Sequence, residues 1–121
     1  MTELVDRIVA RVGVDTATAE KSVGIILDFL SKEGPPDKVQ VLLAKLPGHE
    51  ALIANAANDG GGLFGNVGGI MGVGSRLMGA GLGMGDIQNV IKELVIYARE
   101  KGAGDALADI AASIPGLSQY V

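Results

Sequence analysis

The chain has 121 residues, 48% of them hydrophobic and 20% charged, a balance that excludes an intrinsically disordered chain and fits one domain. Cysteine is absent and histidine occurs once. Disulfides, thiolate-held zinc or iron–sulfur clusters, a thiol nucleophile and a multi-histidine metal site within one chain are thereby excluded. The net charge is −4, with ten basic residues scattered among fourteen acidic ones, so the basic face that nucleic-acid binding needs is missing.

Met1-Thr2-Glu3-Leu4-Val5-Asp6 lacks a basic stretch followed by an apolar run. The expectation is a cytoplasmic protein without a secretory signal. Val5, Ile8, Val9 and Val12 then recur at helical spacing, with Thr2 expected to cap the start and Gly13 to end the helix in a left-handed conformation. Asp15 is the next expected N-cap. Val23, Ile26, Leu27 and Leu30 form a second stripe, which Gly34 is expected to stop with positive φ. Pro36 suits the first turn of a third helix carrying Val39, Leu42, Leu43 and Leu46, and Pro47-Gly48 ends it. A short helix with Leu52, Ile53 and Ala56 fades at Asn58-Asp59-Gly60.

Beyond a glycine-rich stretch, Asp86 is expected to cap a helix with the stripe Ile91, Leu94, Val95 and Ala98, stopped by Gly102. Asp105 is expected to cap another, carrying Leu107, Ile110, Ala111 and Ile114, before Pro115-Gly116. No stretch alternates as a strand would. The predicted fold class is all-α: a compact domain of six or seven helices.

The two halves correspond at an offset of 68. The tetrads at 23, 26, 27, 30 and at 39, 42, 43, 46 recur at 91, 94, 95, 98 and at 107, 110, 111, 114. Gly13, Gly34, Asp37 and Pro47-Gly48 match Gly81, Gly102, Asp105 and Pro115-Gly116. Seven of the 53 aligned pairs are identical, too few to carry the relation, so the shared punctuation carries it. Any two helical hairpins of similar length would share part of this pattern. The expectation is a single domain over 1–121 with an internal duplication, 1–53 and 69–121, joined by a linker at 54–68. Neither three-helix unit buries its apolar faces alone.

Residues 60–85 hold twelve glycines interleaved with large apolar residues. On a helix, Gly61, Gly65, Gly68, Gly69, Gly72, Gly79 and Gly83 share one side. Leu63, Phe64, Val67, Ile70, Met71, Leu77, Met78 and Leu82 fall opposite. Gly61, Gly65 and Gly69 are spaced as a glycine zipper, which lets two backbones approach closely. Each interior glycine nonetheless costs a helix roughly 1 kcal/mol relative to alanine. Three readings compete. In the first, the stretch is part loop and part buried helix, with Val73, Leu77 and Ala80 in core positions and Gly79 permitting a tight crossing. The second is an association surface. The third is entry into a membrane, for which 26 residues suffice in length, although Arg76 is charged and no basic flank precedes it.

Catalytic chemistry finds little support. No Gly-x-x-x-x-Gly-Lys-Ser/Thr loop is present. His49 reads as a solvated residue in a helix first turn. Asp37 reads as a first-turn carboxylate favouring the helix dipole. Glu3, Asp6, Glu20, Asp28, Glu33 and Glu93 fall outside the main stripes and read as solvated. Arg76, on the glycine face, either pairs with a carboxylate across an interface or snorkels to water, and the second reading is preferred.

The segment Ala-Glu-Lys-Ser-Val-Gly-Ile-Ile-Leu-Asp-Phe-Leu (19–30), the turn Gly-Pro-Pro-Asp-Lys-Val (34–39), Leu-Pro-Gly (46–48), the Gly/Leu/Met run and the terminal Ile-Pro-Gly-Leu-Ser-Gln-Tyr-Val (114–121) resemble small bacterial proteins of the VcgC/VcgE-like kind, domains of unknown function. The resemblance covers most of the chain and implies a bacterial helical protein, with no catalytic residues to carry over. The expected function is a non-enzymatic interaction or structural protein, self-associating as a homo-oligomer through Gly61, Gly65, Gly69, Gly72, Arg76 and Gly79. No cofactor or metal is expected. The alternative is a small apolar-ligand-binding or membrane-associated protein that uses the Gly/Leu/Phe/Met segment.

Overall fold

Apolar residues at helical spacing, punctuated by glycine and proline, fold as that spacing dictates. In the computed structural model, residues 2–46, 48–59, 74 and 76–114 are described, and every regular element among them is helical. These are α1 (Thr2–Val12), α2 (Thr16–Glu33), α3 (Pro36–Ala44), α4 (His49–Asp59), α5 (76–79), α6 (Met84–Glu100) and α7 (Gly104–Ser113). This all-α architecture, with seven helices among the described residues, matches the sequence expectation.

Helix boundaries follow local chemistry. Gly13 ends α1 at φ +88°, its N–H donating to the Val9 carbonyl. Asp15 caps α2 by accepting from the Thr18 N–H at 3.0 Å. Hydrogen bonding from Thr18 also holds the Asp15 carboxyl below its ordinary value. Pro36 opens α3, with Asp37 in its first turn.

Three expected terminators act differently. Gly34 is not left-handed, having φ −85°. Glycine is required there by space: a Cβ would stand 2.7 Å from the Leu30 carbonyl oxygen and 2.9 Å from Ile110 Cγ2. Asp86 is not the N-cap of α6. It lies one turn in, and its carboxylate accepts from the Gly83 N–H at 3.2 Å. Asp105 lies within α7, whose N-cap is Ala103.

Helix α2 is the axis of the molecule. Ser22 through Leu30 are buried without interruption, the signature of a helix covered on all sides. It packs against α1, α3 and α6, and most extensively against α4. Helix α1 lies on both α2 and α6, and α3 lies on α7. Leu4, Ile8, Val23, Leu27, Leu42, Leu46, Leu77, Val90 and Ile110 are fully enclosed.

Shifted by 68, α2 falls on 84–101 and α3 on 104–112, against the observed Met84–Glu100 and Gly104–Ser113. Gly13 and Gly81 are both left-handed. All sixteen tetrad positions are buried except Leu43 and Val95, which are half-buried. Residues 54–59 of the expected linker continue α4.

Candidate functional site

Among the described residues, the end of the glycine-rich segment forms an edge that meets α2 through Arg76 and Asp28. Leu77 and Leu82 point inward at 0% and 3% exposure, while Met78 and Met84 stand out at 54% and 62%. Between them Gly81 turns the chain at φ +105°. The turn closes on itself: the Ala80 N–H donates to the Arg76 and Leu77 carbonyls, Gly81 to Met78 and Leu82 to Leu77.

Arg76 does not snorkel. Its guanidinium turns inward, with Nη1 3.2 Å from Asp28 Oδ2. Asp28 is buried, contrary to its reading as solvated, and the same oxygen receives Lys32 Nζ at 3.1 Å. A buried carboxylate needs such partners, because removing a charge from water costs several kcal/mol per ion. The carboxylate Arg76 meets therefore belongs to its own chain. Glu93, also read as solvated, is buried and pairs with Arg11 at 3.5 Å.

Gly79 is exposed, and among the described residues nothing crosses tightly there: no atom lies within 4 Å of where its Cβ would stand. The same holds at Gly85, and neither has a left-handed φ. Val73 lies outside the described residues, as do Gly61, Gly65, Gly69 and Gly72 of the expected contact face. Leu77 takes its expected core position, and Ala80 is half-buried.

Elsewhere, α1 and α6 are joined at the surface. Arg7 pairs with Glu100 through its two terminal guanidinium nitrogens, Nη1 and Nη2, and Lys101 lies 3.7 Å from Glu3. The buried Tyr97 ring lies under Arg7 at 5.8 Å and Lys101 at 5.3 Å. Hydrogen bonding from Arg7 holds the Glu100 carboxyl below its ordinary value. The mutual pairing raises Arg7 above its own. His49 opens α4, half-buried and not simply solvated, with Nδ1 2.6 Å from the Leu46 carbonyl to which it donates.

A shallow cleft of about 240 Å³ between α6 and α7 is lined by Val95, Arg99, Leu107, Ala108, Ala111 and Ala112, with Gly104 at one end. Among the described residues, no group of three or more His, Asp or Glu side chains is placed to hold a metal ion. No helix among them is long and apolar enough to cross a membrane.

Comparison with protein-family models, curated proteins and solved structures gives no match to this chain.

Proposed function

We propose that this is a non-enzymatic interaction protein that self-associates through its glycine-rich segment, with the edge at residues 76–85 as part of the contact surface. One observation carries the reading. Gly79 and Gly85 are glycine without a left-handed φ and without a described neighbour that a side chain would strike. Conformation does not demand glycine at these positions, nor does packing among the described residues. A partner backbone approaching the open face supplies the missing reason, with Met78 and Met84 as adaptable apolar flanks. The helical spacing of Gly61, Gly65, Gly69, Gly72 and Gly79 belongs to the same proposal.

The two three-helix units are read as copies of one module, on the coincidence of helix boundaries and of the left-handed Gly13 and Gly81. Superposing 15–46 on 83–114 with both hairpins turning in the same sense tests that relation. The resemblance to VcgC/VcgE-like proteins belongs to the same proposal and brings no residue with a chemical role. The cleft between α6 and α7 favours a second reading, an apolar ligand. At about 240 Å³ it is smaller than the roughly 300–1,000 Å³ of usual ligand sites, so association leads.

The test is solution mass against concentration for the parent and Gly79→Leu, each with a thermal melt. The expected result is a parent that assembles and a variant that assembles at least about tenfold more weakly. Its melting temperature should be equal or higher, since leucine is the better helix former. A parent that stays monomeric at millimolar concentration overturns the reading.

A further inference from the structure

Asp28 Oδ2 holds two cations of different kinds. Lys32 stands four residues further along the same helix, with its side chain 69% exposed, so α2 alone places it beside Asp28. Arg76 comes from α5, with its side chain 17% exposed at the rim of the bundle. A buried ion pair is normally hard to open because one partner is left as a bare buried charge. Lys32, placed by α2 itself, leaves the carboxylate a partner when Arg76 departs.

We infer that Asp28 is a two-position latch: Arg76 closes α5 onto α2, and Lys32 holds the carboxylate when α5 swings away, so that residues 76–82 open locally while the bundle stays folded. The hydrogen bonds at Ala80, Gly81 and Leu82 are all internal to this turn. A turn so short does not keep its own hydrogen bonds once undocked. Opening is therefore readable at those three amides. It releases Leu77 and Leu82 from the core and changes how Met78 and Met84 are presented, whether or not that edge meets a second copy.

Lys32 distinguishes a latch from a simple structural pair. If the pair only adds stability, removing Lys32 weakens the cluster, and exchange at Ala80, Gly81 and Leu82 rises or stays unchanged. If Lys32 is the holding position, removing it strands Asp28 on opening, and the turn opens less often.

The experiment is native-state amide hydrogen exchange on the full chain, comparing the parent, Lys32→Met and Arg76→Met, with the Leu27 amide as the reference for global unfolding. In Lys32→Met, exchange at Ala80, Gly81 and Leu82 is expected to slow by about tenfold relative to Leu27, the scale of a hydrogen bond to a charged group. In Arg76→Met it is expected to rise by a similar factor with Leu27 still protected. Unchanged or faster exchange in Lys32→Met overturns the latch. So does an Arg76→Met variant in which Leu27 loses protection together with the turn. Lys32 is exposed, so its variant folds and the test stands even if Arg76→Met does not.

Discussion

Gly34 and Gly102 are matched in sequence and are glycine for different physical reasons. At Gly34 a Cβ meets the Leu30 carbonyl at 2.7 Å, a backbone atom that cannot step aside. Gly102 has open space and φ +82°. Alanine at Gly34 is expected to cost about 1–3 kcal/mol by overpacking, and alanine at Gly102 about 1 kcal/mol by strain. Asparagine separates the two, because it tolerates the left-handed region. Urea melts should show Gly102→Asn recovering much of the loss and Gly34→Asn recovering none. Equal losses for both residues at both positions would refute the distinction. That a helix stops at each glycine was legible in the sequence. The reason at Gly34 was not, because Ile110 lies 76 residues away and only the fold brings it there. Charge at this scale has a sign as well. Glu100 and Asp15 are both held below their ordinary values. Each therefore contributes stability at neutral pH that is lost as pH falls through its depressed folded value. The melting temperature should drop on acidification below the ordinary glutamate value of 4.5, and Glu100→Gln should shallow that drop. An identical acid profile in the variant would remove Glu100 from the account.

Helix α2 shows how far periodicity reaches. The stripe of Val23, Ile26, Leu27 and Leu30 correctly marked a helix and one buried face. It also implied an opposite face in water, and on that inference Asp28 was read as solvated. The opposite face is covered, since α2 packs against four other helices, α4 most of all. The signal was in the sequence: residues 22–30 carry a single charge, too few for a helix with a wet side. What the pattern could not supply was Arg76, 48 residues on, which makes burying that charge tolerable. The consequence is measurable. Ile25 and Phe29, off the stripe but 3% and 6% exposed, should cost about as much on truncation to alanine as Leu27, each about 2–5 kcal/mol. If chemical denaturation shows Ile25→Ala and Phe29→Ala to be nearly neutral, α2 has a solvated side after all.

At the scale of the whole molecule, helix contacts cross between the halves as well as lying within them. Helix α1 spans α2 and α6, α3 lies on α7, and α2 touches α6. Ile110 of α7, fully buried, stands 2.9 Å from where a Cβ on Gly34 would be, so the second half closes the α2–α3 corner of the first. A core shared this way cannot lose one unit and keep the other, because the apolar faces left behind would enter water at about 25 cal/mol per Å². The expected behaviour is one cooperative transition, with calorimetric and van't Hoff enthalpies equal. The opening of residues 76–82 exposes too little surface to appear as a second one. Ile110→Ala probes the coupling from a single site. The cavity should destabilise by about 2–5 kcal/mol, and because unfolding is global the loss of amide protection should be the same at Leu27 in α2, Leu42 in α3 and Leu94 in α6. If protection falls in α6 and α7 while α2 and α3 keep the parent's values, the halves fold separately, and a core common to the two units is wrong.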